Sequence, residues 1–265
     1  MLEIESFGSL ETLLGDETAR ARMTEAVRAR RVCVIRRVIE PAFLERVVAY
    51  LVEVGRGSLP ARVATAPGCP NHHRAYRGDE RSYVKGVYHQ FSFFPWNEDV
   101  FDLFARFQDV YRLRNLLNGL PERAFLGRAP ERGCIARLSF QYYPRGIGGM
   151  NRHADPVDAH QLVVPLMTLS RFGRDYETGG LFFENADGAR LYVDPFLEPG
   201  DMVFSLAEIP HGVDTIDPAA SEDWLSFRGR WSTVFAVNRM ADAPVIADPV
   251  DLDRDHARDN ARKTR

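Results

Sequence analysis

Residues 140–155 read FQYYPRGIGGMNRHAD, a β-rich run that passes through a glycine-rich turn and ends on His153-Ala154-Asp155. In extended chain, residues i and i+2 point to the same side. His153 and Asp155 can therefore hold one metal ion from a single face. A facial set needs a third donor from another strand. His211 is the candidate, because it lies in IPHGV (209–213) just after the apolar run DMVFSL (201–206). Two imidazoles and one carboxylate leave three positions of an octahedron open, which suits iron(II) receiving a bidentate co-substrate and then dioxygen. A closed zinc site would show four protein ligands, usually including cysteine. An isolated HxD is common by chance, so its weight comes from the features around it.

Outward from this stretch the β texture continues. IARLSFQYY (135–143), HQLVVPLMTLS (160–170), LFFEN (181–185), ARLYV (189–193), DMVFSL and WSTVFAVN (231–238) are short runs separated by Gly, Pro, Asp and Asn. Strands at this spacing indicate a sandwich or barrel. Toward the N-terminus the period changes. Residues 9–30 read as a helix, VCVI (32–35) as a strand, and PAFLERVVAYLVEVG (41–55) as a helix that Pro41 opens and Gly55 closes. Residues 57–82 are rich in Pro, Gly, Arg and His and read as a loop. Residues 97–119 return to helical spacing, and the aromatics of FSFFPW (91–96) read as core. Helices followed by strands give an α+β protein with a β core. The expected division is one domain over 1–240, with a helical part at 1–133 and the β core at 134–240. A charged tail over 241–265 reads as a surface appendage.

The bulk numbers exclude several classes. With 34 basic and 37 acidic residues among 265, the net charge of -3 gives no global pull toward nucleic acid or an anionic membrane. Cys33, Cys69 and Cys134 are odd in number and far apart, which argues against a disulfide framework and fits a reducing cytoplasm. The acidic start MLEIESFGSLETLLGDE is unlike a signal peptide, and no stretch approaches the ~20 apolar residues of a membrane span.

Taken together, these residues resemble the 2-oxoglutarate and iron(II)-dependent oxygenase superfamily over about residues 134–240. The spacing of His153 and His211 is nearest that of its short-spaced branch, which includes prolyl hydroxylases. The resemblance rests on the strand running into the HxD, on ETGGLFFEN (177–185) after it, on PFLEPGDMVFSLAEIPHGV (195–213) leading to the second histidine, and on Arg230-Trp231-Ser232 in GRWSTVFAVNR (229–239). It implies a double-stranded β-helix (jelly-roll, cupin-like) core with N-terminal helices packed on it, and an iron triad of His153, Asp155 and His211. Arg230 and Ser232 share one strand face, so a guanidinium fork and a hydroxyl can meet the distal carboxylate of 2-oxoglutarate. Arg228 and Arg239 compete for that role. The resemblance also implies that Gln141 and Tyr143 touch the co-substrate. Related halogenases replace the triad carboxylate with a small residue, so Asp155 points to hydroxylation or another oxidation.

Candidates for substrate contact are Arg74, Arg77, His89 and Asp158. The first three lie in or beside the segment expected to close over a polar or acidic substrate, although a solvated basic loop is an equal reading of it. His160 reads as structural, and His72 with His73 lacks a partner carboxylate at ligand spacing. The implied chemistry is oxidative decarboxylation of 2-oxoglutarate to succinate and carbon dioxide, coupled to oxidation of an unactivated C–H by O2, with ascorbate as an activator in vitro. A small molecule, an amino acid or natural-product intermediate, is the favoured substrate. A macromolecular hydroxylase or demethylase and a non-redox cupin-like metal protein are the alternatives. No nucleic-acid or membrane partner is expected, and the oligomeric state is open.

Overall fold

The computed structural model describes residues 2–57, 71–77, 82–158, 160–240 and 248–253. In chain order these form β1 (Ile4–Phe7), α1 (Leu10–Gly15), α2 (Glu17–Arg28), β2 (Val32–Ile35), α3 (Pro41–Gly57), β3 (Asn71–Ala75), β4 (Gly86–Phe93) and α4 (Leu103–Leu117). Then come β5 (Cys134–Pro144), β6 (Gly149–Ala154), β7 (Val163–Thr168), β8 (Gly180–Glu184), β9 (Arg190–Tyr192), a 3-10 turn at Asp194–Phe196, β10 (Met202–Leu206), β11 (His211–Asp214), β12 (Gly229–Arg239) and β13 (Val250–Asp251).

The strands make a mixed, curled sheet in the order β1-β2-β10-β7-β12-β5-β4-β6-β11-β8-β9, which is a jelly-roll core. β4 is the hinge between its two halves. His89–Phe93 pair with β5, while Gly86 and Val87 pair with Met150 and Gly149 of β6. The longest ladder joins β12 to β5, from Gly229 opposite Pro144 to Arg239 opposite Cys134.

Period-two alternation on β5 sorts its side chains. Leu138, Phe140 and Tyr142 join the main hydrophobic core, whereas Arg137, Gln141 and Tyr143 line an internal cavity. On the core side, Phe107 of α4 packs edge-on against Phe140 and Phe235, and Tyr111 packs against Phe235. α3 contributes Leu44, Val47 and Leu51, a helical stripe that is fully buried. Cys33 and Cys134 are free and buried. Among the described residues, no helix is long and apolar enough to cross a membrane.

The structure departs from the sequence reading in four places. The expected helix over 9–30 is split at Asp16, whose carboxylate accepts from the amides of Thr18 and Ala19 and starts α2 afresh. The helix expected from 97 begins at Leu103, because Asp99 accepts from the amides of Phe101 and Leu103. Part of the expected 57–82 loop is strand β3, paired along β4, and most of the rest lies outside the described residues. The expected C-terminal appendage is partly structural: Val250 and Asp251 pair with Ala154 and His153 of β6. Asp251 accepts from the Lys85 amide at 2.8 Å and from Asn151, and Asp253 accepts from the Arg152 amide at 3.0 Å. The remainder of 241–265 lies outside the described residues.

Candidate metal centre

The triad is assembled by register. His211, the first residue of β11, lies opposite His153 near the end of β6, and the ladder shifts between His211 and Val213. Gly212 permits this approach, since a Cβ there would stand 2.9 Å from the Met150 carbonyl oxygen. Asp155 lies just beyond β6, fixed by its amide donating to the Ala207 carbonyl at 3.1 Å. One ligand atom each from His153, Asp155 and His211 can be chosen so that all lie within 4.8 Å of one another.

Both imidazoles are oriented by backbone. Nδ1 of His153 lies 2.9 Å from the Asn151 carbonyl oxygen, and Nδ1 of His211 lies 2.8 Å from that of Ile209. A carbonyl can only accept, so each Nδ1 carries the proton and each Nε2 offers a lone pair. Nε2 of His211 is 3.6 Å from Asp155 Oδ2. Burial, and then the neighbouring His153, lower the His211 pKa to about 4, so its ring is neutral and ligand-ready at neutral pH. This donor set fits one divalent ion, whose bonds to imidazole nitrogen and carboxylate oxygen run to about 2.0–2.2 Å.

The triad opens onto a cavity of about 520 Å³ that Gln141, Tyr143, Arg230 and Ser232 also line. The sequence reading thus brought seven residues to one chamber. It missed the residue that holds Arg230 in place. Asp194, in the 3-10 turn, accepts from Arg230 Nε at 2.7 Å and from Nη2 at 3.1 Å, while Nη1 donates to Ser232 Oγ at 3.0 Å. Tyr176 Oη and the Leu181 amide also donate to Asp194, at 2.7 and 2.8 Å. Burial disfavours the Arg230 charge, but Asp194 outweighs it and raises the pKa above the ordinary value. The glycine pair carried a latent signal of this. Gly180 has φ +109°, and a Cβ there would stand 2.3 Å from Asp194 Oδ2; one on Gly179 would stand 2.2 Å from the Thr215 carbonyl oxygen.

A polar chain runs down the same wall. Tyr143 Oη donates to Gln141 Oε1 at 2.9 Å, Gln141 Nε2 to Gln90 Oε1 at 3.4 Å, and Gln90 Nε2 to Ser92 Oγ at 3.0 Å. Gln90 and Ser92 are not anticipated from the sequence, where the substrate-side loop is expected to run to His89 and FSFFPW (91–96) reads as core. Arg228 is exposed, whereas Arg239 lines the cavity near Asp248.

None of the four substrate candidates lines the cavity. His89 is buried on the opposite face of β4, its Nδ1 3.2 Å from His72 Nε2 and its ring 5.2 Å from that of Phe227. Arg74 is exposed, with its guanidinium 4.7 Å from the Trp224 ring centre, and Arg77 is exposed just past β3. Asp158 bridges to Gln161 in the loop after the triad, where Oδ1 accepts from the His160 amide. His73, one alternation step from Arg74, does line the cavity. For Arg74 and His89 the cause is that β3 and β4 show no strand pattern in the sequence, so which side chains turn inward is not readable there; Arg77 and Asp158 lie in the segments beyond β3 and β6.

No family model and no curated protein matches the chain. Solved structures do. A prolyl-4-hydroxylase from Pseudomonas putida superposes with a TM-score of 0.52 at 19% identity, covering 84% of this chain and 100% of its own. JOX2 in complex with 2OG, Fe and JA gives 0.53 at 16% identity, covering 97% and 85%. A full-length protein from Neurospora crassa in complex with alpha-KG gives 0.51 at 13% identity, covering 98% and 96%. The fold is that of the 2-oxoglutarate and iron(II) oxygenases. Within this oxygenase fold, the chain carries the His-Asp-His cluster that the sequence resemblance implied.

Proposed function

We propose that this chain is an iron(II)- and 2-oxoglutarate-dependent dioxygenase that oxidises an unactivated C–H of a small molecule, an amino acid or natural-product intermediate. The reading is carried by one observation: the His153/Asp155/His211 cluster and Arg230 line the same chamber from different halves of the sheet. A dicarboxylate whose keto-acid end faces the triad has a cation waiting for its far end. A chamber of this volume is of the size that takes small ligands.

Bound iron(II) supplies the chemistry, namely decarboxylation of 2-oxoglutarate to succinate coupled to activation of dioxygen. The protein's own residues do the positioning. Two of the five N–H donors of Arg230 go to Asp194 and a third to Ser232, so its plane is set before any ligand arrives. The other two are left for the distal carboxylate, and the Ser232 hydroxyl stands beside them. Tyr143 fixes Gln141, which presents an amide to the same ligand. Leu166, Leu181, Val213 and Val234 also line the chamber and supply an apolar wall beside its polar groups.

The test is direct. Calorimetry should show one divalent metal site in the wild-type protein and none in His153→Ala, and 2-oxoglutarate should bind only with metal present. Succinate release with iron(II), ascorbate and 2-oxoglutarate should then rise on adding the right compound from a panel of amino acids, with peptides and nucleic acids as separate arms. Equal metal binding by wild type and His153→Ala, or indifference to 2-oxoglutarate, would sink the reading. Stimulation by a peptide or nucleic acid alone would move the substrate to the macromolecular class.

A further inference from the structure

Besides Arg230 the cavity is lined by Arg239, which lies against Asp248, and by Arg137, whose surroundings differ from both. Arg137 lines the chamber from β5, on the same alternation as Gln141 and Tyr143. Across the ladder it lies opposite Ala236, whereas Arg230 lies opposite Tyr143. Six strand residues, roughly 20 Å at about 3.3 Å each, separate the two levels. The two side chains therefore enter the chamber from well-separated levels of the β5–β12 ladder.

Arg230 turns its Nε–Nη2 edge to the carboxylate of Asp194. In Arg137 the same edge meets no carboxylate among the described residues. Its Nη1 donates to the neutral Asn238 Oδ1 at 3.3 Å, and its Nε is buried with no hydrogen-bond partner. Burial lowers its pKa from the ordinary arginine value, and Tyr111, Tyr88 and Asp155 only partly oppose this. Arg137 as a whole is half-buried, but its Nε is shielded from water with no acceptor, and buried polar groups are normally satisfied. The edge that lacks a partner is the one whose two parallel N–H groups match a carboxylate.

We propose that Arg137 anchors the oxidised substrate by pairing with a carboxylate on it, so that the substrate class is a small carboxylic acid. This rests on the oxygenase reading above. Arg230 receives the co-substrate's carboxylate, Arg137 the substrate's, and the triad serves the space between. The arrangement also sets selectivity: the amide or ester of a substrate acid offers Arg137 one carbonyl acceptor but neither the charge nor the second equivalent oxygen of a carboxylate, and is disfavoured.

Two measurements test it. In the first, no turnover is needed. The melting temperature of the protein with zinc(II) and N-oxalylglycine bound is followed against acetate, acetamide and chloride at equal concentration. Acetate should stabilise wild type beyond chloride, acetamide should not, and Arg137→Met should melt higher than wild type and lose the acetate response. An acetate response equal in both proteins, or a lower melting temperature for Arg137→Met, overturns the proposal. In the second, free amino acids and their amides are compared for stimulation of succinate release. The accepted compound should be an acid, with KM raised about 10- to 100-fold in Arg137→Met and partly restored in Arg137→Lys. The Kd for 2-oxoglutarate should stay unchanged in both variants. A weakened 2-oxoglutarate Kd would make Arg137 part of the co-substrate site, and an accepted substrate without an acidic group would end the idea. Failure of metal or 2-oxoglutarate binding in wild type would instead count against the oxygenase reading, and the acetate comparison between the two proteins would still judge Arg137.

Discussion

The half of the sheet built on β5 and β12 and the half built on β6 and β11 face one chamber, yet they are secured differently. The first is backed by helices, which pack on β2, β7, β10 and β12, and its outward residues belong to the main hydrophobic core. The second is made of short strands. It is drawn together by close glycine approaches at Gly179, Gly180 and Gly212, and by ion pairs such as Arg152–Glu184 at 2.8 Å. Apolar packing is non-directional and spreads its load over many atoms, while backbone approach and polar contacts depend on single atoms. The metal ligands sit on the half that depends on single atoms. Arg230, the proposed co-substrate anchor, sits on the half that depends on bulk.

This contrast can be broken at several points. The largest effect is expected from the triad: His153→Ala, Asp155→Ala or His211→Ala should abolish metal binding and succinate release while leaving the circular dichroism melt nearly unchanged. Phe140→Ala, on the bulk side, should do the reverse, costing about 3–5 kcal/mol of stability by urea titration with the metal affinity of the folded protein retained. Asp194→Ala should cost a similar amount, about 3–5 kcal/mol, because it strands a buried guanidinium, and it should also weaken 2-oxoglutarate. The double variant Arg230→Met/Asp194→Leu should recover stability without recovering 2-oxoglutarate binding, which separates the fold role of the pair from its ligand role. Gly180→Ala should cost about 1–3 kcal/mol, from the positive φ and the clash with Asp194. Asp251→Ala should be the mildest, about 1–2 kcal/mol, and should lower metal affinity more than it lowers stability, as read by calorimetry and melting together. If Phe140→Ala loosened the metal as much as Asp251→Ala, the two halves would not be independent.

The metal centre was readable in the sequence because its logic is local. An imidazole and a carboxylate two apart on a strand need one face, and one more donor after an apolar run completes the set. The long strands, β5 and β12, were readable as β-rich runs bounded by turn residues, a signal that is also local. What escaped was non-local. Asp194 draws no special notice in ARLYVDPF until the fold sets it against Arg230, thirty-six positions away. β3, β4 and β13 have no alternation that sequence could show, because β4 is buried almost throughout and β13 is two residues long. Arg74, Arg77 and His89 were consequently placed at the site when the cavity takes His73, Gln90 and Ser92.

The pairing of β13 with β6 also bears on how the chain is made. Asn151 and its partner Asp251 are 100 residues apart, so the strand that bears His153 leaves the ribosome with its outer edge incomplete. At about 5–20 residues per second, that edge waits roughly 5–20 s for its closing segment. During that interval the nascent chain already carries a ligand strand whose unpaired backbone invites the wrong neighbour. Synthesis through residue 253 therefore supplies the last of the three strands that pair with β6, after β4 and β11.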